Sequence, residues 1–261
     1  MIGLFLGDTD FSEIVLKKIK RLNKKYFIID FSKNNKFKKD KNSHRVSIGK
    51  FGKIINLIKK NKSKKVLFAG KIAKPKFSTL RLDLKGIYYM PSVIKAAKSG
   101  DAAIIKAIIK ILENENIKVI SSNFFNPELS LKTGNYTKLK ANAGDINSIK
   151  KGISYFNQLN SLDHIQALIV KNNKIIASEG NQGTQKMLSK LKKASGGILI
   201  KLPKKKQDLR MDLPTIGLNT LKDCKKFSLK GVVLKSKKNI FLDKAKCINF
   251  ANKNKIFIKV I

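Results

Sequence analysis

Two short apolar segments, each followed at once by a glycine, constrain the fold of this chain more than any other feature. Ile2–Leu6 has the length of a strand and ends at Gly7, and Val66–Ala69 ends at Gly70. Apolar residues at helical spacing follow Gly7, and Tyr26–Phe31 is a further apolar run. A strand, a glycine turn, a helix and a strand in this order predict a βαβ unit with parallel strands.

A second alternation of strands and helices occupies the C-terminal half. Ala167–Val170 and Lys174–Ala177 are apolar runs on either side of two adjacent asparagines, which predicts a β-hairpin. Strand-length runs then recur at 198–202, 231–234 and 257–260. Because helical patterns separate these runs, we expect a second α/β domain.

The length of the chain sets the number of domains. Its 261 residues are enough for two domains of about 130 residues, each with its own core. Residues 127–142 lack an apolar period and contain turn-forming residues, so we expect a linker there. The predicted fold class is α/β with two domains. Residues 1–126 form an N-terminal domain with a Rossmann-like parallel sheet, and residues 143–261 form a C-terminal α/β domain.

The chain has a net charge of +40, from 57 Lys and Arg against 17 Asp and Glu. Such a charge is typical of proteins that bind nucleic acid or anionic membranes. However, only four residues are arginine, the lysines are spread along the whole chain, and tryptophan is absent. Base recognition favours arginine, so we expect no nucleic-acid partner. A coding bias towards lysine explains the charge, with attraction to an anionic substrate or to the inner-membrane surface as the open alternative.

Other classes of protein are disfavoured by what the sequence lacks. No apolar run approaches the roughly 18 residues of a membrane span, and the first residues do not resemble a signal peptide, so we expect a cytoplasmic protein. Cys224 and Cys247 are not in a CxxC pattern, which argues against a zinc site and a disulfide framework. The sequence leaves open whether the chain forms a homo-oligomer.

One loop concentrates acidic residues in this basic chain. Asp208 and Asp212 flank Arg210, and a Pro-Thr-x-Gly turn follows directly. The loop leaves the predicted strand 198–202 at its carboxyl end, where open α/β sheets bind ligands. Asp212 is the preferred functional carboxylate and Asp208 a lesser candidate. The alternative is that both acids only pair with Arg210.

The C-terminal half also offers polar residues that suit a phosphate-bearing substrate. The candidates for metal or substrate binding are Glu179, Gln182, Gly183, Thr184, Gln185, Lys201, Arg210, Asp212 and Thr215. Carboxylate, amide and hydroxyl oxygens are hard ligands of the kind that Mg²⁺ takes together with substrate phosphates. Lys201 or Arg210 can neutralise charge that develops on phosphoryl oxygens.

The N-terminal half contributes a second set of candidates at its two glycine turns. These residues are Gly7, Asp8, Thr9, Gly70 and Lys71, with Lys74 close by. Two strand-to-glycine turns on the same edge of a parallel sheet open into one crevice, and a helix N-terminus there can bind phosphate. The glycine fingerprint of dinucleotide-binding folds is incomplete. A plain βα turn and chance lysines are the structural alternatives.

Several short motifs occur together in an order that we associate with one family. They are Arg210-Met-Asp-Leu-Pro-Thr-Ile-Gly217, Phe68-Ala-Gly-Lys71 with Pro75 and Phe77 after it, Pro91-Ser92, Ser99-Gly-Asp101, and Leu162-Asp-x-x-Gln166. In these motifs the chain resembles the UDP-2,3-diacylglucosamine pyrophosphatases of lipid A biosynthesis, the type unrelated to calcineurin-like phosphoesterases. The likeness runs nearly from end to end, and the motif at 210–217 is its most specific part.

The resemblance implies a two-domain, cytoplasmic, Mg²⁺-dependent hydrolase. Such an enzyme splits the pyrophosphate bond of UDP-2,3-diacylglucosamine, with the substrate lodged between the domains, and releases UMP and 2,3-diacylglucosamine 1-phosphate. The family's essential aspartate corresponds to Asp212, which is therefore expected to be catalytic and to bind the metal.

Three positions depart from the family's usual pattern. A loop that usually reads Glu-Gly-Thr-Asp is Gln182-Gly-Thr-Gln185 here, Ala102 replaces a second aspartate after Asp101, and the first turn is Gly7-Asp-Thr rather than a glycine cluster. Amide oxygens bind Mg²⁺ more weakly than carboxylates, and Glu179 can compensate. One alternative function is therefore a protein of the same fold that binds UDP-diacylglucosamine without hydrolysing it. A basic nucleic-acid-binding protein, suggested by the net charge, is the other alternative.

Overall fold

The computed structural model describes residues 1–73, 75–159, 165–180, 182–191, 196–204 and 208–261. The chain divides into two compact units. The N-terminal unit comprises Met1–Pro127 and Asp208–Asp212, and the C-terminal unit comprises Glu128–Gln207 and Leu213–Ile261. Each unit has its own hydrophobic core.

The N-terminal unit is built on a five-stranded parallel sheet within the described residues. Its strands are β1 (Ile2–Leu6), β2 (Tyr26–Asp30), β3 (Ser43–Arg45), β4 (Lys65–Ala69) and β5 (Lys118–Ile120). The strand order is β3-β2-β1-β4-β5, so the direction of winding reverses between β1 and β4. The predicted Rossmann-like parallel sheet is confirmed, and the reversal marks its topological switch point.

Four α-helices of the described residues cover this sheet: α1 (Asp10–Arg21), α2 (Phe51–Lys60), α3 (Leu84–Lys98) and α4 (Asp101–Asn114). Short 3₁₀ turns lie at Phe77–Thr79, Ser122–Phe124 and Pro127–Leu129. In α2 the residues Ile54, Ile55 and Ile58 recur at helical spacing and are at most 5% exposed. Burial of such a stripe against the sheet is the main stabilisation of a helix of this length.

Glu115, directly after α4, connects three helices of the N-terminal unit. Its carboxylate accepts hydrogen bonds from Lys59 of α2 (2.8 Å), from Lys85 of α3, and from the Tyr89 hydroxyl of α3 (3.0 Å). Burial alone would raise the pKa of the Glu115 carboxyl, but the hydrogen bonds from the two lysines and the tyrosine lower it to about 2. The carboxylate therefore stays charged and holds the helices together over the whole physiological pH range.

The C-terminal unit contains a mixed sheet and a small second sheet within the described residues. Its strands are β6 (Gly134–Asn135), β7 (Ala167–Lys171), β8 (Lys174–Ser178), β9 (Ile198–Lys201), β10 (Thr215–Ile216), β11 (Gly231–Leu234), β12 (Ile240–Phe241) and β13 (Phe257–Val260). The main sheet has the order β6-β13-β11-β9-β7-β8, and β10 pairs with β12. The β13, β11 and β9 strands are parallel, whereas β7 and β8 form the predicted antiparallel hairpin.

Four α-helices accompany these strands in the described part of the C-terminal unit: α5 (Ala143–Gln158), α6 (Gly183–Ser189), α7 (Leu218–Lys226) and α8 (Lys244–Lys253). The Asn142 side chain caps α5 by accepting from the Asp145 N–H at 2.9 Å. The Cys224 and Cys247 thiols are free and buried, and burial raises the pKa of Cys224 to about 12. Among the described residues, no helix combines the length and hydropathy needed to cross a bilayer.

Residues 128–142, which cover most of the segment expected as a linker, pack within the C-terminal unit. Leu131 is 2% exposed in the core, and β6 pairs antiparallel with β13. The Thr137 hydroxyl accepts from the Ile258 N–H at 2.8 Å. This stretch lacks an apolar period because only two of its residues form a strand, and isolated backbone and side-chain contacts hold the rest.

We predict that Glu115→Gln lowers the free energy of unfolding at neutral pH by about 1–2 kcal/mol, an amount reduced by the solvent exposure of the two lysines. The pKa of Glu115 lies below its unfolded value, so its contribution is complete above about pH 4.5 and disappears as the pH falls towards 2. Urea unfolding of wild type and variant from pH 7 to pH 3 should show this difference shrinking with acidity.

The matched control is Glu13→Gln, because the Glu13–Lys36 ion pair is at the surface, with side chains 43% and 30% exposed. Its effect should be within about 0.5 kcal/mol of zero. Equal losses for the two variants would contradict the role of Glu115.

Candidate functional site

The turns that follow β1 and β4 lie side by side at the carboxyl edge of the parallel sheet. The Gly7 N–H donates to the Ala69 carbonyl at 2.9 Å, and the Asp8 N–H donates to the Lys71 carbonyl at 2.9 Å. The candidate residues of both turns are therefore brought together, as the sequence predicts. They border the switch point of the sheet, where open α/β folds bind ligands.

These two turns approach so closely that neither has room for a side chain at its glycine. A Cβ on Gly70 would lie 2.0 Å from the Ser12 Oγ, and one on Gly7 would lie 2.3 Å from the Lys71 carbonyl oxygen. Gly70 also has a φ of +84°, which disfavours other residues. The Ser12 hydroxyl lies 2.9 Å from the Gly7 carbonyl oxygen and 2.8 Å from that of Ala69, so it can donate to either. The glycines are thus required by the packing of the turns.

The polar residues of this edge have different surroundings. The Asp8 carboxylate accepts from the Lys33 N–H at 2.8 Å and so ties the β1 turn to the loop after β2. Thr9 is the N-cap of α1 without a side-chain capping bond, and the Lys71 side chain is exposed. Lys74, the other lysine considered for phosphate binding, lies outside the described residues. Thr9 and Lys71 are the side chains of this edge that can contact a bound anion.

Asp30 ends β2, the position at which dinucleotide-binding folds place the acid that binds ribose. Its side chain is fully buried. One carboxylate oxygen accepts from the Ser32 N–H and hydroxyl, at 2.8 and 2.6 Å, and the other accepts from the Phe37 N–H at 3.1 Å. Because both oxygens are bonded within the loop, Asp30 organises the chain after β2 and does not face a ribose.

A basic pocket that the sequence did not predict lies in the N-terminal unit. Its volume is about 430 Å³, and it is lined by Arg45, Val46, Ser47, Lys50, Lys53, Thr79 and Arg81. The Arg45 guanidinium also donates to the carbonyls of Asp30, at 3.2 Å, and Ser32. The chain has only four arginines, and two of them, Arg45 and Arg81, line this pocket. Their rarity was the available signal, but the sequence does not indicate that they are neighbours. The lining groups suit an anionic ligand.

The loop around Arg210 packs on α4 in the N-terminal unit. The Arg210 guanidinium binds the Asp208 carboxylate through Nε (3.0 Å) and Nη2 (2.8 Å), and the Glu113 carboxylate of α4 through Nη1 (2.8 Å). Met211 packs against the hydrophobic core of the same unit. Arg210 therefore acts as a clamp that holds the 208–212 turn against the helix.

The two acids of this loop have different roles. The hydrogen bond from the Arg210 guanidinium lowers the pKa of the Asp208 carboxyl. The pKa of Arg210 is raised mainly by its hydrogen bond to Asp208 and, to a smaller extent, by that to Glu113. For Asp208 the simple interpretation, an ion pair with Arg210, is confirmed. The Asp212 N–H donates to the Asp208 carbonyl at 3.1 Å, and its side chain is half-buried. The turn thus fixes the backbone from which the Asp212 carboxylate projects.

The remainder of this motif, from Leu213 onwards, belongs to the C-terminal unit. Thr215 pairs with Ile240 in the small sheet, and its hydroxyl donates to the Leu213 carbonyl at 3.1 Å. The Lys201 ammonium, at the end of β9, donates to the Thr215 carbonyl at 3.2 Å. Lys201 and Thr215 are therefore neighbours, as expected for two residues that could bind one phosphate.

Glu179 and Thr184 form a second polar group in the C-terminal unit. Glu179 is 6% exposed, and its carboxylate accepts from the Gln166 N–H (2.9 Å) and the Thr184 hydroxyl (2.7 Å). The predicted loop at 179–185 is shorter than expected, because α6 already begins at Gly183. Gln182 and Gln185 are exposed at the start of this helix. The Glu179 carboxylate is thus held in position by two hydrogen bonds.

The metal-binding capacity of these groups depends on Asp212 and Glu179. Within the described ranges, no cluster of three or more His, Cys, Asp or Glu residues is close enough to hold a metal ion. The two carboxylates belong to different units, Asp212 to the N-terminal unit and Glu179 to the C-terminal unit. Their hard oxygens match Mg²⁺, which commonly uses one or two protein carboxylates together with water and substrate phosphates.

Comparisons with known proteins agree with the resemblance seen in the sequence. The model of the LpxI N-terminal domain matches residues 1–129, and that of the LpxI C-terminal domain matches residues 132–259. The UDP-2,3-diacylglucosamine pyrophosphatase LpxI of Caulobacter vibrioides (strain ATCC 19089 / CIP 103742 / CB 15) is 29% identical over 223 residues. That alignment covers 82% of this chain and 80% of the Caulobacter protein. Because the two domain models together span nearly the whole chain, it belongs to the LpxI family.

Proposed function

We infer that this protein is a UDP-2,3-diacylglucosamine pyrophosphatase of lipid A biosynthesis. Its reaction is hydrolysis of the pyrophosphate bond to UMP and 2,3-diacylglucosamine 1-phosphate. The observation that carries this inference is the match of both LpxI domain models, one to each half of the chain. The Caulobacter relative, which bears the name of this enzyme, supports the same activity.

We propose Asp212 as the catalytic residue. Hydrolysis needs a water molecule held near a phosphorus atom and a group that accepts its proton, and a carboxylate can do both. The contacts around Asp212 support this role, because Arg210 clamps the turn and Met211 anchors it in the core. A carboxylate on a fixed turn loses little entropy when it orients water. Because Arg210 is paired with both Asp208 and Glu113, we propose that it positions the turn.

We propose Mg²⁺ as the cofactor, and each unit offers one candidate carboxylate ligand: Asp212 in the N-terminal unit and Glu179 in the C-terminal unit. When bound, the ion would polarise a phosphoryl oxygen and offset the charge that develops on it. The Glu179 carboxylate is held in place by hydrogen bonds from the Gln166 N–H and the Thr184 hydroxyl.

We propose candidate phosphate-binding groups within each unit separately. In the C-terminal unit these are Gln182, Gly183, Thr184, Gln185, Lys201 and Thr215, and in the N-terminal unit Gly7, Thr9, Gly70 and Lys71. The Asp8 carboxylate instead accepts from the Lys33 N–H and supports the β1 turn. The adjacent Lys201 and Thr215, and the paired glycine turns, are the parts of this set that the geometry of each unit supports.

We propose a cytoplasmic location with transient contact to the inner-membrane surface. The substrate carries two acyl chains, and the protein's charge of +40 favours approach to anionic lipid.

The second candidate function is binding of UDP-diacylglucosamine without hydrolysis. It is favoured by the amides Gln182 and Gln185, which stand where the family resemblance leads us to expect acids. Repeated release of UMP by the purified protein would exclude it.

We predict that Asp212→Asn lowers kcat/KM for UMP release by at least about 1,000-fold, because the amide cannot accept a proton from water. The variant should remain folded, because the Asp212 N–H still donates to the Asp208 carbonyl. Steady-state UMP release with Mg²⁺ and circular dichroism provide the two measurements.

The neighbouring variant Asp208→Asn is the matched comparison. It weakens the ion pair with Arg210, so it should lower the melting temperature and reduce turnover by only about tenfold. Wild-type turnover by Asp212→Asn would refute the assignment of the catalytic residue.

We predict that the double variant Gln182→Glu/Gln185→Asp lowers the Mg²⁺ concentration for half-maximal activity by about tenfold, since two added carboxylates strengthen binding of a hard cation. Activity is measured against Mg²⁺ after removal of metal with EDTA. The control is Gln158→Glu, which adds a carboxylate at an exposed position at the end of α5. It should leave the Mg²⁺ concentration for half-maximal activity unchanged. Full turnover in EDTA without added metal would instead reject Mg²⁺ as the cofactor.

A further inference from the structure

One face of α3 exposes large apolar side chains along about three turns of helix. Leu84 is 86% exposed, Tyr88 77%, Ile87 59% and Ile94 39%. These residues follow helical spacing and define what we call the α3 apolar face. The opposite side of the helix is buried, at Gly86, Met90 and Val93. A contiguous apolar surface of this kind marks an interaction site.

The surroundings of the α3 apolar face are basic. The α2 and α3 helices contain no acidic residue and six lysines, namely Lys53, Lys59, Lys60, Lys85, Lys95 and Lys98. A groove of about 610 Å³, here called the α2–α3 groove, is lined by residues of both helices that include Lys53, Lys60, Lys85 and Leu84. Lys53 also lines the basic pocket of Arg45 and Arg81, so the positive surface extends further.

The two acidic residues beside this groove, Asp83 and Glu115, both accept several hydrogen bonds from neighbouring groups. The Asp83 carboxylate accepts from the N–H groups of Gly52 (3.1 Å), Lys53 (2.9 Å) and Gly86 (2.8 Å), and thereby joins the start of α2 to the start of α3. Burial raises the pKa of Asp83, but these N–H groups outweigh it and lower the pKa. Glu115 accepts from two lysines and a tyrosine. Both carboxylates remain negatively charged, but the six lysines of α2 and α3 outnumber them.

We propose that the α3 apolar face and the α2–α3 groove dock this protein on bilayers that contain anionic phospholipids. Leu84, Ile87 and Tyr88 enter the interfacial layer, while lysines of the groove bind lipid phosphates. An apolar helix stripe bordered by lysines, with a tyrosine at its edge, is the arrangement of helices that lie in the membrane interface. The charge favours lipid over a second copy of the chain, since two such faces would bring like charges together.

This docking surface deepens the proposed function and rests on it in one respect. A substrate with two acyl chains resides in a membrane, so an enzyme held at the bilayer meets it there. The α3 apolar face and the surrounding lysines are present whatever reaction the protein catalyses.

Co-sedimentation of the full-length protein with vesicles tests this proposal. Wild type should bind vesicles of phosphatidylcholine with phosphatidylglycerol, bind pure phosphatidylcholine weakly, and lose affinity as salt increases. Leu84→Gln/Tyr88→Gln should weaken binding at least about tenfold through lost apolar burial. Lys53→Gln/Lys60→Gln should weaken it about tenfold and reduce the salt dependence. Ile176→Gln, at an apolar residue 42% exposed in β8, is the matched control and should bind as wild type.

Two further measurements separate the possible failures. UMP release from detergent-dispersed substrate should be unchanged in every variant, so loss of vesicle binding with retained turnover supports the docking surface. Absence of UMP release by wild type, with vesicle binding as expected, would reject the reaction and leave the surface standing. Wild-type vesicle binding by Leu84→Gln/Tyr88→Gln, or no vesicle binding by wild type, would overturn the proposal. Light scattering that shows a wild-type dimer and a monomeric variant would also overturn it, because a second copy would then cover the face.

Discussion

The close approach of two strand-end turns is the constraint on which the N-terminal unit depends. The Gly7 and Gly70 turns hydrogen-bond to each other, and a Cβ on either glycine would clash with the opposite turn or with Ser12. The contact lies where β1 pairs with β4, at the switch point of the sheet. Ser12 of α1 lies at the same edge, because its hydroxyl can donate to the carbonyl of either turn. The shape of this edge, and with it any phosphate-binding capacity, follows from two missing side chains.

A shortage of acids governs the electrostatics of both units. The described acids with perturbed pKa values or full burial are mostly joined to local structure, as Asp30, Asp83, Glu115 and Asp208 show. Each of these carboxylates satisfies several donors that would otherwise lack partners, which stabilises the fold more than a surface ion pair does. Because acids are few and so engaged, lysine dominates the remaining surface. The charge of +40 is thus compatible with a coding bias and still has local consequences, such as the basic surroundings of α3.

The sequence predicted those parts of the fold that depend on local periodicity. Strands β1, β2, β4, β9 and β11 are apolar runs bounded by turns, and the pattern locates them within one or two residues. Edge elements were missed, since β3 is the polar triplet Ser43–Arg45 and β6 has only two residues. The start of α3 at Leu84, where the Asp83 side chain caps the helix, was also missed. In the candidate site, the Arg210–Asp208 pair is local and was foreseen, whereas Glu113 lies 97 residues away and no sequence spacing indicates it.

The motif at 210–217 combines structural and chemical demands in a few residues. Arg210 needs two carboxylate partners, Met211 needs an apolar core, and Ile216 is fully buried in the core of the C-terminal unit. Residues up to Asp212 in this motif belong to the N-terminal unit, and residues from Leu213 onwards belong to the C-terminal unit. The residues on both sides of Asp212 are therefore constrained by packing, each within its own unit. The backbone of Asp212 is therefore held by a packed segment on each side, and such support is what the roles proposed for its carboxylate, orienting water and binding a cation, would require.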